Sequence, residues 1–322
     1  MDSSEENKNL HTIAFYNVEN LFDTVIDDFA NDNDFSMTSV KKWSRKRYER
    51  KVYKLAAAIS QIGMEETNRT PTIIGLAEVE NLKVLEDLVA SKQFEGIHYD
   101  IAHFDSPDER GIDVGLIYNA DEFSLHDATT HPIYLENEEG LQDFTRDILV
   151  VSGLLGSEKI YFIVNHWPSR REGLDLSTNK RMIAAEKVSS IIERLRLLEN
   201  DPKIIVMGDF NDNPNNESIQ YLIKKTQLFN PMFNLLSFTR GSLNHDFKWH
   251  LFDQIMLSKN FLATEEISLR YVKADIFDRQ FLTQYNGKFK GHPFRTYIGK
   301  KYKGGYSDHF PVYVQIKRPF AR

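Results

Sequence analysis

The stretch Ile204-Ile205-Val206-Met207-Gly208-Asp209-Phe210-Asn211 joins an apolar run directly to a polar turn. Four large apolar residues beside such a turn predict a buried strand. The acid Asp209 and the carboxamide of Asn211 then lie where the strand end meets solvent. Because a buried unpaired carboxylate is costly, this placement indicates a chemical role rather than a packing role.

A second polar run, Ser307-Asp308-His309, stands ahead of the apolar run Phe310-Pro311-Val312-Tyr313-Val314. Together the two runs supply carboxylates, a carboxamide and an imidazole at strand ends. This set of groups predicts a hydrolytic site that uses a hard metal ion and an acid/base histidine. The alternative is two polar turns that happen to end two strands. It would explain either run alone, but it explains the pair and the motifs below less well.

The composition is that of a globular protein with a substantial core. Of 322 residues, 41% are hydrophobic and 27% are charged, and the chain has no cysteine. The lack of cysteine excludes a disulfide scaffold, a thiolate zinc site and a cysteine nucleophile. The length would fit two ordinary domains or one large α/β domain. Since no linker is evident, we expect a disordered tail over residues 1–10 and a single domain over residues 11–322.

The N-terminal residues are acidic and polar and lack the features of a signal peptide. We therefore expect a cytoplasmic protein, with a secreted or periplasmic location as the alternative if a signal peptide has been removed. No apolar stretch is long enough to span a bilayer, so we expect no membrane anchor. Nothing in the sequence predicts a protein partner, and we expect a monomer.

Positive charge is concentrated in two places although the formal net charge is −7. The negative total argues against a protein that coats nucleic acid through its overall field. The first basic segment, residues 41–54, is interpreted as the solvated face of a helix. The second basic segment, residues 287–305, is rich in Gly, Tyr and Phe and leads into Ser307. We expect it to be a mobile loop on the substrate side of the site, outside the core.

Alternating and apolar patterns predict strands and helices in mixed order. The predicted strands are His11–Asn17, Thr72–Ala77, Tyr99–His103, Asp113–Asn119, Ile148–Leu155, Ile160–Asn165, Lys203–Met207, Leu251–Leu257 and Pro311–Ile316. The predicted helices are Tyr48–Ile62, Leu82–Ala90, Ser177–Leu198 and Glu217–Lys224. Asp27–Phe35 reads as an acidic loop. Strands that follow one another without a helix, over residues 99–119 and 148–165, predict antiparallel pairs, so we expect two mixed sheets packed face to face with helices outside.

Further polar residues follow the first two predicted strands. Asn17 could fix a phosphate oxygen or a metal-bound water, although Asn often ends a strand for structural reasons. Glu78 ends an apolar strand at its carboxyl end, where open α/β sheets place ligands. It could hold a Mg²⁺ ion that keeps most of its waters. The alternative role of capping the following helix better suits Glu80 or Asn81.

A second histidine and an embedded acid extend the candidate site. His166, in the run from Asn165 to Arg170, ends another strand; a lone histidine there is usually structural, but two suit acid/base chemistry near neutral pH. Asp253 lies within an apolar strand, and such an acid usually has a partner such as a histidine that it orients. Arg110 and Arg146 each precede a strand and could present a planar fork to a phosphate, with a surface ion pair as the default explanation.

These motifs together resemble the endonuclease/exonuclease/phosphatase superfamily, the deoxyribonuclease I-like group. The resemblance covers nearly the whole chain and rests on Asn17 in Phe-Tyr-Asn-Val-Glu-Asn, Glu78 in Leu-Ala-Glu-Val-Glu-Asn, Arg110-Gly-Ile-Asp113, Asn165-His166-Trp-Pro, Gly-Asp209-Phe-Asn211, Asp253 and Ser-Asp308-His309. It implies a four-layered α/β sandwich of two mixed sheets with the site at one end.

The resemblance also implies roles for the candidate residues. Glu78 is similar to the main metal ligand, with Asn17 and Asp308 close to the same ion. Asp209 and Asn211 resemble the pair that positions the attacking water. His309, oriented by Asp253, resembles the catalytic histidine, and His166 resembles the second one.

We expect contacts to the substrate phosphate from four residues: Arg110, Arg146, Asn165 and Arg170. Arg146 resembles a phosphate-contacting arginine of the deoxyribonuclease branch, but whether Arg110 or Arg146 meets the scissile phosphate stays open. No motif fixes the acid that orients His166, and Asp113 is the best candidate.

We therefore expect a divalent-metal-dependent phosphodiesterase, with Mg²⁺ as the expected ion and Mn²⁺ or Ca²⁺ as alternatives. The expected substrate is nucleic acid, cleaved by an endonuclease through direct attack of water. The alternative is a phosphatase or phospholipase-like hydrolase of a small phosphorylated head group, of the inositol phosphate or sphingomyelin type. A catalytically inactive binding module ranks last, since every expected polar position is intact.

Overall fold

The computed structural model describes residues 9–25, 39–137, 139–170, 174–263 and 268–318. The predicted loop Asp27–Phe35 and residues 1–8 of the predicted tail lie outside the described residues. Leu10, the last residue of that predicted tail, already pairs with Lys317 in a sheet. The ordered sheet therefore begins one residue before the predicted start of the domain.

Eleven of the described strands form two large sheets. The six-stranded sheet has the order β14 (Arg270–Ile276), β17 (Val312–Lys317), β1 (Leu10–Leu21), β2 (Ile73–Val79), β4 (Asp113–Asn119) and β3 (Tyr99–His103). The five-stranded sheet has the order β13 (Asp253–Leu257), β10 (Lys203–Asp209), β9 (Glu158–His166), β8 (Ile148–Leu155) and β5 (Phe123–His131). Only the β1–β2 and β9–β10 pairs among these are parallel. Both sheets are mixed, and the predicted antiparallel pairs β3–β4 and β8–β9 are confirmed.

Short strands and helices complete the described structure. The short strands are β6 (Leu135–Glu136), β7 (Gln142–Asp143), β11 (Leu243–His245), β12 (Lys248–His250), β15 (Tyr297–Ile298) and β16 (Lys301–Tyr302). The helices are α1 (Arg45–Ile59), α2 (Met64–Thr67), α3 (Leu82–Val89), α4 (Leu174–Leu198) and α5 (Glu217–Thr226). Asn81 caps α3 by accepting a hydrogen bond from the backbone N–H of Val84, as its sequence position suggested. In the described parts of the chain, no helix is long and apolar enough to cross a membrane.

The two sheets pack face to face through one apolar core. Phe15 and Ile73 of one sheet share this core with Phe162 and Met207 of the other. Gly75 of β2 allows the close approach, since a Cβ there would lie 2.5 Å from the sulfur of Met207. Helices α1 and α3 cover the outer face of the six-stranded sheet, and α4 and α5 cover that of the five-stranded sheet. The predicted four-layered α/β sandwich is confirmed.

Two strands of the large sheets, β5 and β14, were not predicted from the sequence, and neither were the six short strands. In the edge strand β5 only Phe123 is buried, and in the edge strand β14 only Ile276 is buried. A strand that buries a single side chain lacks the alternation on which strand prediction depends. Neither strand could therefore be predicted from its own sequence; each is defined by its pairing with a neighbouring strand.

Candidate functional site

Strand register in the five-stranded sheet places three site residues side by side. Asp209, the last residue of β10, lies opposite His166 at the end of β9 and opposite Asp253 at the start of β13. The loop after β10 is tied to the loop after β9, because the backbone N–H of Trp167 donates to the carbonyl of Asp209 at 2.9 Å. These three residues are far apart in the chain, and only the sheet brings them together.

The six-stranded sheet contributes the other half of the site. Asn17 of β1 is joined to the run before β17, because the hydroxyl of Ser307 donates to the carbonyl of Asn17 at 2.6 Å. The same hydroxyl accepts from the backbone N–H of His309 at 3.0 Å. The two sheets therefore meet at one end, with Asn17 and His309 facing Asp209 across the junction.

Asp209 is the centre of this junction and is almost fully buried. Its Oδ2 accepts from Nδ2 of Asn17 at 3.0 Å, and its Oδ1 accepts from the backbone N–H of Asn211 at 2.9 Å. The Nε2 atoms of His166 and His309 lie 3.8 and 3.9 Å from Oδ2. Burial and the nearby charge of Asp253 raise the pKa of Asp209 to about 6. Its carboxylate is thus a stronger base than an ordinary aspartate.

His309 is held by Asp253 as the sequence predicts. Nδ1 of His309 donates to Oδ2 of Asp253 at 2.7 Å, and Asp253 is completely buried. Burial lowers the pKa of His309, but the charge and hydrogen bond of Asp253, with Asp209 and Asp308 nearby, raise it well above the ordinary value. These acids favour the protonated imidazole, whose Nε2 lies 3.9 Å from Oδ2 of Asp209.

Glu78 projects into the site from an irregular strand end. The register of β2 shifts between Ala77 and Val79 against both neighbouring strands, and Glu78 has a φ of 64°. A bulge of this kind turns a side chain away from the regular alternation. Oε2 of Glu78 accepts from the backbone N–H of Asn20 at 2.9 Å, and Oε1 lies 4.0 Å from Nε2 of His166.

Two charged residues at the site were not predicted. A guanidinium nitrogen of Arg295 donates to Oδ2 of Asp308 at 2.6 Å, and Nε of Arg295 lies 3.6 Å from Oε1 of Glu19. Burial and the charge of Asp308 raise the pKa of Glu19 to about 7. No motif in the sequence pointed to either residue. Glu19 lies two residues after Asn17 in the run that identified Asn17, and Arg295 lies in the second basic segment.

The two basic segments pack against each other, which corrects both expectations for them. Lys51 on α1 is buried, and its ammonium donates to the hydroxyl of Thr296 at 2.5 Å and to the carbonyl of Tyr306 at 2.6 Å. The guanidinium of Arg47 lies 4.4 Å from the ring centre of Tyr302. The first segment is thus only partly a solvated face. The second is anchored, and its Tyr297 belongs to the core.

The predicted phosphate-binding arginines differ in their surroundings. Arg110 is partly exposed and donates to Oε1 of Glu78 at 3.3 Å. Arg146 is buried, pairs with Asp108 at 2.9 Å and donates to the carbonyl of Trp167 at 2.9 Å. Arg110 therefore reaches the site directly, whereas both terminal nitrogens of Arg146 are bonded inside the protein.

Arg170 supports the loop that carries Asn211. Its Nε donates to the carbonyl of Asn211 at 2.9 Å, and its guanidinium pairs with Asp212 at 2.8 Å. The carboxamide of Asn211 in turn donates to the carbonyl of Trp167 at 3.0 Å. Arg170 is thus attached to the site through this loop.

The hydrogen bonds of Asn165 correct the expectation that it binds phosphate. Asn165 is fully buried; its Nδ2 donates to the carbonyls of Ile163 and Met207, and its Oδ1 accepts from the indole N–H of Trp167. With its whole carboxamide used inside the protein, Asn165 joins β9 to β10 rather than binding phosphate.

Asp113 does not have the partner expected for it. It accepts from Nε2 of His103 at 3.1 Å and from the backbone and hydroxyl of Ser106. Its carboxylate is therefore committed to a different histidine from His166.

The chemistry of the donor groups fits a hard divalent cation. Glu78, Asp308, Asp209 and the carbonyl oxygen of Asn17 are all oxygen donors at the joined sheet ends, as Mg²⁺ and related ions require. Asp209, Asp253 and His309 have ligand atoms within 4.8 Å of one another, so two acids and a histidine lie close together here.

The whole described domain resembles known proteins. Residues 12–318 match the model of the Endonuclease/Exonuclease/phosphatase family. No curated protein matches the sequence.

Solved structures resemble it in fold. A family protein from Bacteroides thetaiotaomicron is 16% identical with a TM-score of 0.57, over 97% of this chain and 98% of that chain. A mannosyl-6-phosphatase from the same organism is 17% identical with a TM-score of 0.54, over 95% and 99%. TDP2 from D. rerio, in complex with a single-strand DNA product, is 12% identical with a TM-score of 0.55, over 96% and 99%. At these identities the likeness shows the fold alone.

Proposed function

The chain belongs to the endonuclease/exonuclease/phosphatase family, whose members are metal-dependent phosphoester hydrolases, and on that premise we propose that it is a nuclease that cleaves phosphodiester bonds. The observation that carries the proposal is the meeting of Asp209, the His309–Asp253 pair and Glu78 at one end of the two sheets. A phosphodiester resists attack because of its negative charge, so hydrolysis needs positive charge at the phosphate and a positioned water.

In this proposal the role of each residue follows from its charge. His309, kept protonated by Asp253, donates a hydrogen bond from Nε2 to a phosphate oxygen. Asp209, whose pKa is raised to about 6, orients the attacking water and accepts its proton, and the backbone N–H of Asn211 fixes the Asp209 carboxylate. As the water oxygen bonds to phosphorus, the P–O bond to the leaving oxygen breaks and that oxygen takes up a proton from solvent. Glu78, Asp308 and Asn17 hold the cation, which we propose to be Mg²⁺. When bound, it supplies further positive charge at the phosphate.

The surroundings of the site favour a polymeric substrate. A cavity of about 210 Å³ with Arg146 and Lys180 in its wall reaches the site at Arg110. A second cavity, of about 320 Å³, reaches the site at Asp308 and is lined by Arg295 and Lys288. A chain of phosphates that continues beyond the scissile bond would meet cations in both directions, and it would share Arg146, Lys180 and Arg295 with the acids Asp108, Asp143 and Asp308 that already pair with them. This supports nucleic acid over a small head group.

A substrate panel with matched variants tests the proposal. Supercoiled plasmid, a single-stranded oligonucleotide, bis-p-nitrophenyl phosphate and inositol phosphates are each incubated with and without EDTA. We expect cleavage of the nucleic acids that EDTA abolishes and that Asp209→Asn removes. Hydrolysis of inositol phosphates with intact nucleic acids would reject the nuclease in favour of the small-head-group hydrolase.

A further inference from the structure

The cavity beside Asp308 has an aromatic wall that the proposed chemistry does not use. Phe247 and Phe289 stack with ring centres 5.7 Å apart and planes 6° apart, and the ring of His292 meets both edge-on. Phe247 is 57% exposed, which is unusual for so large an apolar ring. These three rings line the same cavity as Asp308 and Arg295. A flat apolar surface therefore adjoins the candidate site.

Asn244, on the short strand β11, lines this cavity as well. Both Oδ1 and Nδ2 of its carboxamide are buried and have no hydrogen-bond partner among the described residues. Buried polar atoms are nearly always paired, so a carboxamide left without partners calls for an explanation. A ligand edge that offers one acceptor and one donor would satisfy both atoms at once.

Lys288 and Arg295 bring positive charge to the edges of the same cavity, which Asp246 and Asp308 also line. The ammonium of Lys288 lies 4.8 Å from the ring centre of Phe289, and Arg295 bonds to Asp308 at the side nearest the site. A ligand in this cavity would therefore carry a planar ring, hydrogen-bonding groups along one edge of the ring, and negative charge next to it. A nucleotide has all three.

We propose that this cavity binds the nucleobase of a nucleotide close to the scissile phosphate. The base lies against the rings of Phe247 and Phe289, and its edge pairs with the carboxamide of Asn244, the arrangement by which asparagine recognises a base. Arg295 and Lys288 face the adjoining phosphates. The inference rests on the proposed nuclease function and adds a base-binding subsite to it.

Oligonucleotides that lack one base at a time test the subsite. Binding of a fluorescein-labelled single strand is measured by anisotropy in EDTA, so that no cleavage occurs, with an abasic residue moved along the strand. We expect one position, at a fixed distance from the cleavage point, where loss of the base weakens binding about ten-fold. Loss of a base at the other positions should have little effect on binding. In Phe247→Ala and in Asn244→Leu that position should bind no better than its abasic counterpart.

Two controls keep the outcome interpretable. Phe238 is fully exposed and lies outside the cavity wall, so Phe238→Ala should bind every strand like the wild type. Asn244→Leu should keep the wild-type thermal stability, because the carboxamide it removes has no partner in the folded protein.

The possible results separate the two proposals. Failure of all nucleic acids to be cleaved in the panel described above would overturn the nuclease function. Cleavage with equal binding of intact and abasic strands would overturn the subsite alone. A loss of stability in Asn244→Leu would also overturn it, since the carboxamide would then have a structural partner.

Discussion

The two ends of the paired strands β1 and β17 hold histidines of opposite character. At one end His11 contacts the hydroxyl of Thr72 at 3.0 Å, and burial together with Arg69 and Arg318 lowers its pKa to about 3. At the other end acids surround His309 and raise its pKa well above the ordinary value. Both imidazoles are largely buried, His11 within β1 and His309 in the run that leads into β17. Burial lowers the pKa of both histidines, so the opposite outcomes follow from the sign of the neighbouring charges.

The backbone differs between the two ends in the same way. From Leu10 to Phe15, β1 pairs with β17 in unbroken register. Toward the site the β1–β2 register shifts after Asn17, and Glu19, Asn20 and Glu78 have positive φ values. Such conformations are costly for residues other than glycine, and three of them lie together at this end. The irregular end is the one that holds the candidate site.

The largest expected effect is the loss of His309. His309→Gln should lower kcat by about 10²–10⁴-fold, because the proton at Nε2 is removed from the site. His11→Gln, at the regular end of the sheet, should leave kcat unchanged. Steady-state kinetics of both variants on one phosphodiester checks the contrast, and equal losses would mean that His309 has no special role.

The His309–Asp253 pair can be tested as a unit. Because Asp253 acts through His309, the double variant Asp253→Ala/His309→Ala should cost little more activity than His309→Ala alone. Losses that multiply in the double variant would assign Asp253 a separate role.

Glu78 gives the next effect. Glu78→Gln removes a negative charge from the proposed cation site, so the cation concentration for half-maximal activity should rise by at least about ten-fold, with a lower maximal rate. Titrations with Mg²⁺ and Mn²⁺ measure it. Glu80→Gln is the matched control, since Glu80 accepts from the backbone N–H of Asp23 instead. Unchanged metal dependence in Glu78→Gln would contradict the assignment.

His11 predicts a pH effect on stability at the regular end. Its pKa is about 3 when folded and near 6.5 when unfolded, so the unfolded chain binds more protons between these values. Its contribution is complete above pH 6.5 and decreases as the pH falls, by about 1.4 kcal/mol per pH unit between 6.5 and 3. Urea unfolding at pH 7 and pH 5 should show a smaller decrease in His11→Gln than in the wild type.

The smallest effect concerns the exposed lysines of the second basic segment. Lys300, Lys301 and Lys303 are exposed, whereas Lys51 on the facing helix is buried. Changing all three lysines to Gln should weaken polynucleotide binding. The slope of log affinity against log salt concentration should become shallower by roughly 0.7 for each phosphate contact that is lost. Thermal stability and hydrolysis of a small phosphodiester should stay constant. An equal effect on both substrates, or on neither, would favour the small-head-group hydrolase.

Much of the site could be predicted because its residues stand at the ends of strands that the sequence marks clearly. Asp209 follows four apolar residues and His309 precedes the last strand, so their positions did not depend on distant contacts. The burial of Lys51 was also indicated by its position, since it lies on the same face of α1 as the buried residues Tyr48 and Leu55. The many charged residues around Lys51 in the sequence nevertheless led to the prediction of a solvated helix face.

Most strands of the two large sheets, and the polar groups at their ends, could be read from local patterns in the sequence. The tertiary structure decided the pairing: Asp113 with His103, Arg146 with Asp108, Arg295 with Asp308, and the carboxamide of Asn165 with its own sheet. The reason is physical. Local patterns follow from the burial of neighbouring side chains, whereas the partner of a charged group is set by strand register between residues far apart in the chain.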